Sequence, residues 1–225
     1  MRQCLFCDNA ADSLEHLWPL WILERVKPRG PLQHSISSAP VKLLAKPEIK
    51  MKCVCTFCNN GWMHDLEQES IPVLGAMLHD ISTPLDSPQQ TTLARWSIKT
   101  AMVVEAVKKG EDRFFTQTER GEIRANSAIP SRTNIWLGRY ASSSIGAYGT
   151  DLGFDMPDAP HSGVGCVTTI IVGHVAVQVL ALRVPAQFSA DRIVVNPRAG
   201  SWERLLVQVW PVQTRGRVAA RLLFR

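Results

Sequence analysis

Two C-x-x-C pairs constrain this sequence more than any other feature. Cys4 and Cys7 form the first pair and Cys55 and Cys58 the second, in a chain with six cysteines among 225 residues. Each pair makes a tight turn that points two sulfur atoms at one ion, and two such turns complete a tetrahedral zinc site. The spacing therefore predicts a structural Zn²⁺ ion that ties the first residues of the chain to a distant segment.

The other two cysteines leave alternatives open. Cys53 could replace Cys55 in the second pair, although the two-residue gap favours Cys55 with Cys58. A redox couple is the alternative to a metal site, but the βαβ context typical of such couples is missing. Cys166 lies in an apolar run, which predicts a buried core thiol.

Hydrophobic periodicity and turn residues predict the secondary structure. Helices are expected over residues 20–26, 59–79 and 91–109, and the prolines of residues 27–48 indicate mostly loop. Strands are expected over residues 49–54, 134–140, 164–184 and 205–212, the third being a hairpin that turns at Gly173 and His174. One face of the helix over residues 91–109 is lined by Leu93, Trp96, Thr100, Val103, Val104 and Val107.

These elements predict an α+β protein with two parts. Residues 1–82 form a zinc-stapled module, and residues 89–225 form a helix packed on a mostly antiparallel sheet. The uncharged run over residues 163–182 is long enough for a membrane helix, but its β-branched residues favour strands. No secretion signal is visible at the amino terminus, so we expect a cytoplasmic protein with no membrane partner.

The residues around the two C-x-x-C pairs, here called the first and second zinc knuckles, form a recognisable motif. Glu15-His16 and Pro19 follow the first pair, and Asn59 follows the second at once. In this order the first 70 residues resemble the HNH (ββα-metal) endonucleases, whereas residues 90–225 resemble no family that we identify. The resemblance implies an amino-terminal ββα-metal fold with a closed, chemically silent zinc site.

The resemblance also implies roles for the motif residues. His16 would be the general base that activates water, and Glu15 and Asn59 would supply oxygen ligands to a catalytic Mg²⁺ or Mn²⁺ ion. The implied activity is metal-dependent hydrolysis of DNA phosphodiester bonds, with DNA favoured over RNA. The family suggests a role in bacterial or phage defence.

One departure from the family pattern supports a second hypothesis. The middle asparagine of the HNH motif, which braces the loop around the histidine, has no counterpart in residues 28–54. Lys50 or Gln33 could brace the loop differently. The alternative function is a zinc-stabilised nucleic-acid-binding protein that does not cleave. A third hypothesis is a sensor whose carboxy-terminal sheet binds a ligand and gates the nuclease.

Several further residues are secondary candidates. Asn60 and His64, four residues apart on a helix, could contact a second metal or a phosphate, although a solvated helix face explains them more simply. The three tryptophans of the motif region are expected to pack rather than to stack on bases. A basic strip near the second knuckle could contact phosphates or be merely solvated; it comprises Lys42, Lys46, Lys50 and Lys52.

The charge distribution favours the carboxy-terminal part as the holder of a polyanion. Residues 1–80 contain eight Lys and Arg against nine Asp and Glu, whereas residues 81–225 contain seventeen against eleven. General electrostatic attraction to nucleic acid should therefore come from the second part. Nothing in the sequence indicates an oligomeric state.

Overall fold

The computed structural model describes residues 2–28, 32–34, 42–44, 48–107, 113–156, 159–184, 206–212 and 218–219. Side chains are described over residues 2–28, 48–107, 113–155, 163–184 and 206–212. The helices are α1 (Leu20–Val26), α2 (Thr56–Cys58), α3 (His64–Met77), α4 (Ser87–Glu105) and α5 (Gln117–Arg124), and a π-helical turn (Asn59–Met63) joins α2 to α3. The strands are β1 (Ser13–His16), β2 (Leu32–His34), β3 (Lys42–Leu44), β4 (Lys50–Val54), β5 (Pro84–Leu85), β6 (Thr133–Met156), β7 (Ala159–Arg183), β8 (Leu206–Trp210) and β9 (Val218–Ala219).

The predicted mixture of helices and antiparallel sheet is confirmed. The paired strands are β1 with β4, β2 with β3, β5 with β9, and β6 with both β7 and β8, and every pair is antiparallel. The segment over residues 27–48, predicted to be mostly loop, contains the two short strands β2 and β3, and its residues 29–31, 35–41 and 45–47 lie outside the described part of the chain. Among the described helices, none has both the length and the apolar composition needed to cross a membrane.

The amino-terminal part places a strand pair directly before a helix. β1 and β4 pair with Ser13 opposite Val54 and His16 opposite Lys50. The chain leaves β4 and enters α2 at once, and the Asp12 carboxylate accepts the Thr56 backbone N–H at 2.7 Å, which ties the start of α2 to the start of β1. β1 and β4 are separated in the chain by α1, β2 and β3, but their pairing places both strands beside the start of α2.

α4 is buried on nearly all sides, and the burial includes the predicted apolar face. The helix begins at Ser87, earlier than predicted, because the Asp86 carboxylate accepts the Gln89 N–H at 2.8 Å and the Gln89 side chain accepts the Asp86 N–H in return. It contacts α3 on one side and β6, β7 and β8 on another. Both Ile98 and Met102, outside the predicted face, are therefore fully buried.

One hydrophobic cluster spans the predicted domain boundary. It includes Phe6 and Trp18 from the amino-terminal part, and Trp96 and Val209 from the carboxy-terminal part. The division at residues 82–89 stays a prediction.

The longest pair of strands differs from the predicted hairpin. β7 runs through Gly173 and His174 without reversing, so the turn expected there was wrong. Arg139 pairs with Val175 and Ser144 with Gly173, which leaves four residues of β6 opposite one residue of β7. Gly173 has a φ of 58°, a backbone conformation that favours glycine, and this conformation makes a bulge instead of a turn.

We expect Gly173→Ala to destabilise the protein by roughly 1–3 kcal/mol, because the alanine would have to adopt a positive φ and its methyl group would meet backbone atoms. Its Cβ would lie 2.5 Å from the carbonyl oxygen of Leu78 at the end of α3. Gly153→Ala is the matched control, since its Cβ would meet no atom within 4 Å. Urea unfolding measures both variants, and an equal effect of the two would contradict this reading of the bulge.

Candidate metal centre

The four cysteines of the two C-x-x-C pairs converge on one point. Their sulfur atoms all lie within 4.8 Å of one another, and all four residues are buried. The Sγ atom of Cys7 is 3.6 Å from those of Cys55 and Cys58. A disulfide needs a separation of about 2.05 Å, whereas four sulfur ligands about 2.3 Å from one zinc ion lie roughly 3.8 Å apart. The cluster could therefore hold a metal ion such as zinc.

Hydrogen bonds to the sulfur atoms fit the same conclusion. The backbone N–H of Cys55 donates to the Sγ of Cys4 at 3.2 Å, and the N–H of Cys58 donates to the Sγ of Cys55 at 3.4 Å. The Asn9 amide also donates to the Sγ of Cys55, at 3.8 Å. Donors directed at sulfur favour the thiolate form, which is the form that binds metal.

Position in the cluster, and not the thiol pKa, separates Cys55 from Cys53, because burial also raises the pKa values of the cluster residues Cys4 and Cys58. Although burial acts in the opposite direction, the pKa of Cys55 is lowered to about 7, first by the N–H of Cys58 and then by the neighbouring sulfur atoms. Burial raises the pKa of Cys53 to about 12, and the Glu15 carboxylate adds to this effect. Cys53 is not a member of the cluster, and Cys55 is. Cys166 is buried in β7, as expected of a core thiol.

Glu15 is directed into the protein. It lies in β1, and consecutive residues of a strand face opposite sides. Its carboxylate is almost fully buried, with Oε1 3.6 Å from the Nζ atom of Lys99, and burial raises its pKa. The Lys99 ammonium also donates to Glu67 Oε1 at 3.1 Å. The predicted metal ligand thus lies in a buried cluster of one ammonium and two carboxylates.

His16 faces the opposite side of β1, where it meets a carboxylate that the sequence analysis missed. Its Nε2 atom lies 3.0 Å from Oε1 of Glu48, and the Lys50 ammonium lies 2.8 Å from the same oxygen. Both contacts hold the pKa of Glu48 below its usual value, and the contact with Lys50 has the larger effect. Pairing of His16 with Lys50 across the strands brings Glu48 alongside. The register in which the two strands pair was therefore the signal that could have indicated the contact between His16 and Glu48.

Asn59 connects the helix to β1. Its side-chain amide donates to the Ser13 hydroxyl at 2.8 Å and to the Leu14 carbonyl at 3.2 Å. The Asn59 side chain therefore donates to the strand and does not cap the helix. Its role as a ligand of a catalytic ion stays a prediction, as do the roles of Glu15 and His16.

The secondary candidates are dispersed. Asn60 and His64 are exposed on the helical segment that follows the second knuckle. In the basic strip, Lys50 bonds to Glu48 and Lys52 is exposed, whereas Lys46 and the side chain of Lys42 lie outside the described residues. Among the described side chains, no second group of three or more Cys, His, Asp and Glu converges as the four cysteines do.

The tryptophans of the motif region pack, as predicted. Trp18 is buried, and the Trp62 ring lies edge-on to Phe6 with their centroids 4.9 Å apart. Trp21 is half-buried, with the Arg25 guanidinium 5.3 Å from its ring centroid. These contacts give the region around the cysteine cluster an aromatic core.

Comparison with known proteins does not identify a family for this chain, so a function is proposed from the geometry of this centre. No protein-family model, curated protein or solved structure matches the chain.

Proposed function

We propose that this chain is a zinc-stapled nuclease of the ββα-metal type, which hydrolyses phosphodiester bonds of nucleic acid and prefers DNA. The observation that carries the proposal is the position of His16. It lies on a strand beside the four-cysteine cluster, half-exposed, with its imidazole held by Glu48. The antiparallel pair β1–β4 beside the start of α2 supports the resemblance, although α1, β2 and β3 lie between the two strands in the chain.

Zinc at the four cysteines would be structural in this proposal. Four sulfur ligands complete a tetrahedral site and leave no position for water or substrate. The ion would link the segment before β1 to the start of α2, and Asn59 adds a second link between the helical segment and β1. His16 would therefore be carried on a framework braced from two sides.

The His16–Glu48 pair supports a general-base role. When Nε2–H donates to the Glu48 carboxylate, the lone pair of Nδ1 is left to accept a proton. Nδ1 would take a proton from water, the water oxygen would attack phosphorus, and the leaving oxygen would depart with the electrons of the broken P–O bond. Glu48 would fix the orientation of the ring and stabilise the imidazolium as it forms.

Dependence on Mg²⁺ or Mn²⁺ comes from the resemblance alone. Glu15 does not fit as a ligand in this conformation, because its carboxylate is turned inward to Lys99.

His16→Ala tests the proposal. We expect it to lower the rate of plasmid cleavage about 10²- to 10⁴-fold while nucleic-acid binding stays nearly unchanged, because a general base contributes on that order. His79→Ala is the control, since His79 is an exposed histidine beyond the far end of α3. Cleavage of plasmid and of RNA is measured with Mg²⁺, with Mn²⁺ and without either. Equal rates for His16→Ala and the wild type would remove His16 as the base.

A non-cleaving, zinc-stabilised nucleic-acid-binding protein is the second candidate. The contact between Glu15 and Lys99 favours it, because this contact withholds one of the oxygen ligands that the resemblance assigns to the catalytic ion. Binding of DNA or RNA by wild-type protein without cleavage under any of these metal conditions would decide for this candidate.

A further inference from the structure

The second zinc knuckle carries an exposed aromatic side chain at its tip. Phe57 lies between Cys55 and Cys58 and is 67% exposed, whereas Phe6 and Phe115 are buried. The backbone on either side of Phe57 is held by the cysteine cluster and by the contact of Thr56 with Asp12. The phenyl ring is thus displayed on a rigid turn and contributes little to the core.

An arginine from the carboxy-terminal part lies over this ring. The Arg124 guanidinium, at the end of α5, is 5.8 Å from the Phe57 ring centroid, and Arg124 itself is exposed. A guanidinium over an aromatic face is a favourable cation–π contact, and it occupies only part of the exposed ring. The pair combines a stacking surface with a fixed positive charge.

Further cations flank the knuckle. Arg2 and Lys52 are both exposed, and the Arg2 guanidinium donates to the Lys52 carbonyl at 3.4 Å. The nearby carboxylate of Asp12 already accepts two hydrogen bonds from Thr56. The positive charges of Arg124, Arg2 and Lys52 outnumber the carboxylate of Asp12, which stays ionised because its hydrogen bonds from Thr56 lower its pKa. The amino-terminal part as a whole is slightly acidic.

We propose that Phe57 is a stacking platform for a base of single-stranded nucleic acid, with Arg124, Arg2 and Lys52 contacting the adjacent phosphates. Aromatic side chains beside cationic groups bind single strands in this way, because an unpaired base can leave its neighbours and stack on the ring. The inference rests on the proposed function, which supplies the class of partner, and it assigns part of the nucleic-acid binding surface to the second knuckle.

Fluorescence anisotropy of a labelled 20-nucleotide oligothymidine tests the platform, at low salt and with neither added divalent metal nor chelator. We expect Phe57→Ala to bind about 5- to 150-fold more weakly than the wild type, as loss of one base–aromatic stack predicts. Phe57→Trp should retain affinity. Tyr148→Ala is the matched control and should bind as the wild type does, since Tyr148 is an aromatic residue with 66% exposure on β6.

An abasic oligonucleotide of the same length tests the platform without a protein variant. Wild-type protein should bind it as weakly as Phe57→Ala binds oligothymidine, and Phe57→Ala should bind both strands alike. Equal wild-type affinity for the two strands, or no effect of Phe57→Ala, would overturn the platform. Failure of the wild type to bind either strand would overturn it as well. Cleavage reports on the nuclease separately: binding through Phe57 without cleavage leaves the platform standing, and His16-dependent cleavage with a neutral Phe57→Ala leaves the nuclease standing.

Discussion

Cys58→Ser should yield protein that lacks zinc and is either insoluble or locally unfolded around β4 and α2. Structural zinc sites contribute binding free energies on the order of 10–16 kcal/mol in small zinc modules, and this energy becomes folding energy when the site forms only on folding. Cys58 is fully buried beside the other three ligands, so a serine there removes a quarter of the donor set. The small aromatic core around the cluster cannot replace a loss of that size.

Cys53→Ser is the control for this experiment. Cys53 is as buried as the cluster residues and lies two residues from Cys55, but it is outside the cluster. We expect the variant to retain one zinc ion per chain and to melt close to the wild-type temperature. Elemental analysis and thermal melting measure both variants. Zinc retained in Cys58→Ser, or lost in Cys53→Ser, would mean that the ligand set is wrong.

Lys99→Met should destabilise the protein by about 3–5 kcal/mol, which is the usual cost of removing one partner from a buried ion pair. The Lys99 side chain is 2% exposed and neutralises one of the two carboxylates that it contacts, those of Glu15 and Glu67. Methionine has a similar length but leaves both carboxylates unpaired. Because Glu15 belongs to β1, exchange of the β1 amide hydrogens should accelerate.

The pH dependence of this loss follows from the pKa shifts. Burial alone would lower the pKa of Lys99, but the carboxylates of Glu67 and then Glu15 outweigh burial and raise it. The stability that the Lys99 ammonium contributes is therefore fully present below the ordinary pKa of lysine. It is lost as the pH rises through the pKa of Lys99 in the folded protein. The pKa of Glu15 is raised by burial, and loss of the ammonium would raise it further. A protonated Glu15 needs no cation, so the difference in stability between Lys99→Met and the wild type should shrink as the pH falls.

Arg120→Met is the matched control for Lys99→Met. Arg120 forms another buried ion pair of α4, with its Nη2 atom 2.9 Å from Oε2 of Glu105. Its removal should cost a similar amount of stability but should leave exchange in β1 unchanged. Urea unfolding and hydrogen exchange separate the two effects. Equal acceleration in β1 for both variants would show that the buried lysine has no specific hold on that strand.

Local chemistry in the sequence was sufficient to predict the metal cluster and several elements. The spacing of the two C-x-x-C pairs identified the four converging cysteines, and α1 occupies the predicted residues 20–26. The helix α5 was missed although its signal is local, since Thr116 and Glu119 form a capping box. The early start of α4 at Ser87 has the same kind of signal, a capping box formed by Asp86 and Gln89.

Features set by tertiary contacts could not be predicted in this way. The burial of α4 on nearly all sides depends on which elements surround it, and its sequence periodicity contains no such information. The contacts of His16 with Glu48 and of Glu15 with Lys99 join residues that are far apart in the chain. Gly173 has the residue type expected of a turn, but only the pairing of β6 with β7 shows that it forms a bulge.

Zinc K-edge X-ray absorption of the purified protein tests the central claim of this account most directly. That claim is that four thiolates bind one zinc ion and that this ion joins the segment before β1 to the helix. We expect a first shell of four sulfur atoms about 2.3 Å from zinc, with no nitrogen or oxygen ligand. The same shell should be seen in Cys53→Ser. A shell that contains nitrogen or oxygen, or well-folded protein without zinc, would contradict the account.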